Sequence, residues 1–203
     1  MDFHEVLKIA GGAGTLAMFI PMAVEIIRRG TAGQSLSTWL LWAMLDTILS
    51  VSTILKHGNY LLPLGYALGG WCLTGLLLVK GRFAWSRLDS VVLALVIGCL
   101  AGWELGGPKT AIIAATSATC VATIPGLVEL WREPLRAVGN VWVGFTLANG
   151  ISFLGGTAMT VEERFTPAVF TILSGLMVVA SRRRTVGARR SGFANLDTGE
   201  DRP

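Results

Sequence analysis

The sequence predicts an all-α membrane protein of seven transmembrane helices, arranged as two parallel three-helix bundles joined by a linker helix. Three observations lead to this class. Hydrophobic residues make up 52% of the chain and charged residues 15%, against about 25% charged residues in soluble domains. The apolar residues fall into seven runs of roughly 17–25 residues, the length that crosses a bilayer. A sequence pattern also recurs 104 positions downstream.

The seven predicted spans follow one another with short polar or basic loops between them. They cover about 5–28, 37–55, 60–79, 88–106, 110–131, 137–157 and 165–181. The first run lacks the basic flank and the small-residue cleavage site of a secretory signal, so it is expected to remain as helix one. After about residue 185 the apolar periodicity ends. Residues 182–203 are therefore predicted to form a disordered basic cytoplasmic tail.

The positive charges collect in alternate loops, after the first, third, fifth and seventh spans. The opposite loops hold only Lys8, Lys56, Lys109 and Arg164. Because positive charge marks the cytoplasmic side, the N-terminus is expected outside and the C-terminus inside. The net charge of +4 then requires no nucleic-acid partner. Short loops and an Arg-, Ala- and Gly-rich composition favour an integral protein of a bacterial plasma (inner) membrane.

An internal repeat sets the predicted organisation of these helices. Ile20-Pro21-Met22-Ala23-Val24-Glu25 returns as Ile124-Pro125-Gly126-Leu127-Val128-Glu129, with four of six positions identical. The predicted parts are a first three-helix repeat at 1–80, a linker helix at 81–108 and a second three-helix repeat at 109–181. Three spans reverse the direction of the chain, so the fourth makes the two triplets parallel.

The proline in the first helix of each triplet, followed by a basic turn and a Ser/Trp-rich second helix, resembles the PQ-loop family. The pattern reads Pro21-Met22, then Arg28-Arg29-Gly30-Thr31-Ala32-Gly33-Gln34-Ser35-Leu36-Ser37. This family includes SWEET sugar transporters, half-size SemiSWEETs and lysosomal amino-acid exporters. The resemblance covers about residues 5–181, and the 3+1+3 plan and outside N-terminus fit it. Met22 and Gly126 stand where the motif has its glutamine, and helices three and seven lack the asparagines that SWEETs use near the sugar.

Asp46 is the one ionisable side chain near the centre of a predicted span. A charge there costs about 2.5–3.5 kcal/mol on insertion scales, so it is expected to face the bundle interior or a wet cavity. Side chains three and four residues apart share a helix face with it. Two such stripes are Trp39, Trp42, Asp46 and Ser50 on helix two, and Trp142, Phe145 and Asn149, with Ser152 beside them, on helix six. Facing stripes of rings and polar groups suit a small polar solute.

Other interpretations of these residues stay open. Asp46 and Asn149 could serve only as partners in interhelical hydrogen bonds, which average about 0.6 kcal/mol. Trp39 and Trp142 lie near the cytoplasmic helix ends and fit an interfacial aromatic belt. Trp42 and Trp71 are deeper, which makes them candidates for lining a solute site, with ordinary packing as the alternative.

Pro21 and Pro125 lie inside predicted helices at matching positions of the repeat. Membrane helices tolerate such breaks because neighbouring groups satisfy the freed carbonyls. The duplication predicts two paired hinges that open or close the cytoplasmic side, as the family resemblance also implies; a static kink is the alternative. Glu25 and Glu129 stand at ion-pair spacing from the arginines that follow them. They are predicted to be interfacial pairs or part of a cytoplasmic gate.

Together these features predict a transporter of a small polar metabolite, of the sugar, amino-acid or vitamin class, which works by alternating access between the triplets. Asp46 could couple the movement to protons. The alternative is a non-transporting receptor or sensor on the same fold. No enzyme activity, cofactor or metal site is predicted, because no nucleophile motif is present and no His, Cys and carboxylate cluster has metal-ligand spacing. The expected partners are the lipid bilayer, the solute and protons.

Overall fold

The computed structural model describes residues 1–29, 36–80, 87–132, 134 and 136–183. The predicted tail lies outside these residues from 184 onward, as does the 30–35 part of the basic turn that carries the family resemblance. The backbones of Pro125 and Glu129 are described within a helix, whereas their side chains lie outside the description. The side chains of the predicted hinge and gate can therefore be located in the first repeat, at Pro21 and Glu25. In the second repeat only the backbone positions of Pro125 and Glu129 can be given.

The described part of the chain is helical throughout its long elements. The helices are α1 (Phe3–Arg29), α2 (Leu36–Leu55), α3 (Leu61–Lys80), α4 (Arg87–Arg132), α5 (Arg136–Gly155) and α6 (Thr166–Arg182). A π-helix over Val161–Phe165 leads into α6. Among the described residues, five of the helices have the length and hydropathy to cross a membrane, and α5 is not one of the five. Each long helix forms its backbone hydrogen bonds internally. A membrane span requires this because lipid offers no partner to backbone N–H and C=O groups.

The fourth and fifth predicted spans form a single element, α4, with a break at Gly107. A straight helix of 46 residues would be about 69 Å long, more than twice the roughly 30 Å of a hydrocarbon core. Gly107 has φ 73° and ψ −174°, a backbone conformation that favours glycine, and Pro108 follows at a position suited to a helix start. A Cβ built on Gly102 would lie 3.8 Å from Cγ2 of Thr110, so α4 turns back on itself at Gly107.

The helices pack in two groups that meet along two seams. On one side α3 contacts both α1 and α2, and on the other α6 contacts both α4 and α5. The seams are formed by α1 against α5 and by α2 against α4. Small residues allow the close approaches: a Cβ on Gly12 would lie 2.6 Å from the Leu61 carbonyl oxygen, and one on Gly14 would lie 3.3 Å from Cβ of Ala148. Such positions let helix backbones come near one another.

Large apolar side chains cover the outside of this bundle as well as its interior. Exposed examples on four different helices are Ile20, Leu68, Leu147 and Ile172, each more than half exposed. Exposed large apolar side chains occur on each of the six long helices that the structure describes, whereas monomeric soluble proteins rarely expose large apolar patches. The chain is thus an all-α protein whose long apolar helices and apolar exterior fit a membrane protein, as the sequence predicts.

Candidate functional site

The centre of the molecule holds a cluster of rings contributed by five helices. Its members, called the aromatic cluster below, are Phe19 of α1, Trp39 and Trp42 of α2, Tyr66 of α3, Trp142 and Phe145 of α5, and Phe170 of α6. Tyr66 stacks on Phe145 with ring centroids 5.4 Å apart and an interplanar angle of 15°. Aromatic pairs of this kind add about 0.5–1.5 kcal/mol beyond their buried area. The aromatic cluster therefore ties both helix groups together at one point.

Asn149 on α5 is the best-satisfied polar residue of this region. It is fully buried, and its Nδ2 donates to the Tyr66 hydroxyl at 3.0 Å and to Oγ of Ser174 at 3.4 Å. Its Oδ1 lies 3.3 Å from the same Tyr66 hydroxyl. These bonds join α3, α5 and α6. Asn149 thus has internal partners, which supports a role in positioning these three helices.

The polar residues of the α2 stripe differ from Asn149 in having unpartnered atoms. Trp42, Asp46 and Ser50 are four residues apart and lie on one face of α2. Nε1 of Trp42, Oδ1 of Asp46 and Oγ of Ser50 are buried and have no hydrogen-bond partner among the described residues. Leaving a buried polar group unpaired costs about 1–3 kcal/mol. The stripe therefore offers one N–H donor, one carboxyl oxygen and one hydroxyl to a polar molecule.

Asp46 is the central member of that stripe. Only 6% of its surface is exposed. Among the described residues it forms no ion pair with Lys, Arg or His. A buried carboxyl group without a cation partner is energetically costly unless it is protonated or meets a ligand. This property distinguishes Asp46 from Glu163, which is paired with Lys8.

Two of the predicted solute-site residues lie away from the aromatic cluster. Trp71 is 45% exposed on α3, and its Nε1 donates to Oγ1 of Thr47 at 2.9 Å. Ser152 is buried near the end of α5 that faces Lys8, where its backbone carbonyl and Oγ accept from Asn59 Nδ2 at 2.9 and 3.0 Å. Of the other five predicted residues, Trp42, Asp46, Ser50 and Phe145 lie on the α2 stripe or in the aromatic cluster. Asn149 is hydrogen-bonded to Tyr66 of the cluster.

The predicted belt and hinge residues have distinct environments. Trp39 is 7% exposed and packs against Phe19 and Trp42 inside the bundle; its place in an interfacial belt stays a prediction. Trp142 packs on Phe145 at 5.5 Å. Pro21 lies inside α1 on its exposed surface. Glu25, one turn further, is partly buried.

A second polar cluster closes the end of the bundle that contains Lys8. Nζ of Lys8 on α1 lies 2.9 Å and 3.0 Å from the carboxylate oxygens of Glu163 in the π-helix. The backbone N–H of Asn59 donates to the Glu162 carbonyl at 3.0 Å. Arg164 donates to the Gly156 carbonyl at 2.8 Å. We call this group the Lys8–Glu163 cluster; it joins the α1 start and the α2–α3 turn to the α5–α6 connection.

Sequence reasoning did not identify Phe19, Tyr66, Phe170 or Ser174 as members of the central region. The repeat contained a signal for two of them, because Tyr66 and Phe170 are 104 positions apart, the same offset as Pro21 and Pro125. The Lys8–Glu163 pair joins residues 155 positions apart, and no spacing in the sequence indicates it. Among the described residues, no group of three or more His, Cys, Asp and Glu side chains is arranged to hold a metal ion.

Comparison with known proteins returned no match: no family model, curated protein or solved structure resembles the chain significantly.

Proposed function

We propose that the chain is a membrane transporter of a small polar metabolite, of the sugar, amino-acid or vitamin class. The observation that carries this proposal is the α2 stripe, where three buried polar atoms have no partner among the described residues and adjoin the aromatic cluster between the two helix groups. Solute sites combine apolar rings with a few polar groups that fix orientation. In transporters such sites lie near mid-membrane, at the interface of the repeats.

The proposed architecture is two parallel triplets joined by a linker helix, related by a pseudo-two-fold axis along the membrane normal. Residues equivalent under a two-fold rotation can touch each other only at the axis. Tyr66 and Phe170, at the repeat offset of 104, have ring centroids 5.2 Å apart. Gly58 and Glu162, at the same offset, are packed together at the Lys8 end. Both contacts support an axis that runs from that end to the bundle centre.

The equivalent seams support the same architecture. Under the repeat offset, α1 corresponds to the second half of α4, and α2 corresponds to α5. The contact of α1 with α5 is then equivalent to the contact of α4 with α2, and both occur. We propose that the chain belongs to the PQ-loop family. The features that support this are the arrangement of the helices, an N-terminus outside and a proline in the first helix of each triplet. The proposed location is a bacterial plasma membrane.

In the proposed mechanism the solute is held between the triplets and reached from each side in turn. The Lys8–Glu163 cluster closes one end through an ion pair and backbone hydrogen bonds across the two triplets. Pro21 and Pro125 act as hinges at the opposite, basic end, with Glu25 and Glu129 as gate residues beside them. Asp46 is ionised in one state and protonated in another, which couples the movement to protons.

The test is uptake into proteoliposomes of a panel of radiolabelled sugars, amino acids and vitamins, with and without an inward proton gradient. Wild type is compared with Asp46→Asn and with Glu104→Gln, a control that removes an exposed carboxylate. We expect saturable uptake that loses its pH dependence in Asp46→Asn alone. Uptake insensitive to pH and to the substitution would refute proton coupling. Binding without uptake by folded protein would refute transport and favour a receptor.

A further inference from the structure

The two halves of the central site are unequal, and the inequality leaves Asp46 without the partner that its counterpart has. Asn149 corresponds to Asp46 by the shared spacing of the two stripes, and Phe170 corresponds to Tyr66 by the repeat offset. Asn149 is hydrogen-bonded to the Tyr66 hydroxyl at 3.0 Å. Phe170 has no hydroxyl to offer. The bond that satisfies Asn149 therefore has no equivalent in the first repeat, and Oδ1 of Asp46 has no partner in the part of the chain that the structure describes.

The surroundings of Asp46 favour a positively charged group. The described cations lie at the ends of the helices, for example Lys8, Lys80 and Arg182, and none of them pairs with Asp46. Trp39 and Trp42 of the aromatic cluster lie on the same face of α2 as Asp46. The faces of such rings attract cations. Among the described residues, the Asp46 carboxyl group lies beside aromatic rings and has no cation partner, and this chemistry suits the binding of an ammonium group.

We propose that Asp46 binds the ammonium group of a small primary amine, with the indole N–H of Trp42 donating to an acceptor elsewhere on the same solute. The inference rests on the proposed function, because it names the substrate class of that site. Burying an ionised carboxylate against a neutral hydroxyl leaves its charge uncompensated, whereas an ammonium ion supplies both the opposite charge and a hydrogen bond. Amines are thereby selected over their hydroxyl analogues.

The test is equilibrium binding to purified protein of solutes that differ by one amino group. The probes are glucosamine against glucose, and alaninamide against lactamide. We expect wild type to bind each amine about tenfold more tightly than its hydroxyl analogue, the ratio that one charge-assisted hydrogen bond supplies. Asp46→Asn is expected to reduce the ratio to within about twofold. Glu104→Gln, which removes an exposed carboxylate, is expected to retain it.

A second variant tests the asymmetry itself. Phe170→Tyr supplies a hydroxyl at the position equivalent to Tyr66, so it is expected to give Asp46 an internal partner and weaken amine binding about threefold to tenfold. This variant keeps the carboxylate and so remains informative if Asp46→Asn does not fold. Equal affinities for amines and hydroxyl analogues in wild type would overturn the inference, as would an absence of binding of all four probes by folded protein.

Uptake of the same probes separates this inference from the proposed function. Preferential amine binding without uptake would keep the amine site and remove transport. Equal uptake of both members of each pair would keep transport and remove the amine site. Faster uptake of the amine than of its hydroxyl analogue, with this preference lost in Asp46→Asn, would support both transport and the amine site.

Discussion

The Lys8–Glu163 ion pair gives the sharpest test of how the bundle closes. We consider Lys8→Met, which removes the cation while keeping an apolar stem of similar length. The two side chains are 18% and 10% exposed, with Nζ and Oε2 2.9 Å apart. Exposed pairs are worth about 0.2–1 kcal/mol, and removing one partner of a fully buried pair costs about 3–5 kcal/mol.

This pair lies between those limits, and Glu163 retains one other partner when Lys8 is lost. Its Oε2 accepts from the Thr157 backbone N–H at 3.3 Å. We therefore expect Lys8→Met to cost about 1.5–2 kcal/mol in the closed state. If the pair holds one end shut, the equilibrium between open and closed forms at that end shifts by roughly 10–30-fold.

Labelling with a membrane-impermeant maleimide measures that shift. Cys72, Cys99 and Cys120 are unpaired and would first be replaced. Reporter cysteines then replace Ala148, on the α1–α5 seam, and Ala180, near the opposite end of the bundle; the two alanines are 4% and 0% exposed. Lys8→Met is expected to raise labelling at 148 and lower it at 180, since alternating access opens one end as the other closes. Lys56→Met, which removes an exposed lysine at the same end, is the matched control.

Two results would refute this reasoning. Unchanged labelling at position 148 in folded Lys8→Met protein would mean that the ion pair does not hold the end closed. Faster labelling at both reporters would mean that the substitution loosens the whole bundle rather than moving it between two states.

Three further predictions concern folding and are measured as thermal stability in detergent. Asn149→Leu removes three bonding contacts with Tyr66 and Ser174, and Tyr66→Phe leaves Oδ1 of Asn149 with no partner among the described residues. Each substitution should therefore cost about 1–2 kcal/mol of stability; no loss of stability in either variant would contradict the network. Gly12→Ala places a Cβ 2.6 Å from the Leu61 carbonyl oxygen, whereas a Cβ at Gly98 would meet nothing within 4 Å. Gly12→Ala is therefore expected to lose about 1–3 kcal/mol of stability, and Gly98→Ala, its control, is not. Gly107→Ala forces a side chain onto φ 73° and should cost about 1–2 kcal/mol; no loss would argue against the turn at this residue.

The lengths and positions of the helices could be predicted from the sequence because each apolar run ends at charged or turn-forming residues. The predicted span 37–55 is α2 (Leu36–Leu55), and 60–79 is α3 (Leu61–Lys80). The predicted spans 88–106 and 110–131 flank Gly107, where α4 turns back. The five-residue π-helix at Val161–Phe165 was not predicted, because no apolar run marks it.

Which side chains meet was harder to predict, and Trp71 shows why. In a membrane helix the surfaces toward lipid and toward neighbouring helices are both apolar, so the hydrophobic pattern does not separate inside from outside. Trp71 is 45% exposed, whereas Trp42, of the same residue type, lies in the aromatic cluster. Asp46 could be identified because an ionisable group in a span is costly on any lipid-facing surface. The contacts that Tyr66 and Phe170 make in the aromatic cluster follow only from the packing of α3 and α6.

The most direct test of the central claim is the accessibility of position 50 from each side of the membrane. Ser50 is buried on the α2 stripe, and Ser50→Cys in the background without native cysteines is a small change. In sealed proteoliposomes of known orientation, we expect an impermeant thiol reagent to modify this cysteine from both sides and bound solute to slow both reactions. Modification from one side only, or from neither, would contradict a site reached alternately across the membrane.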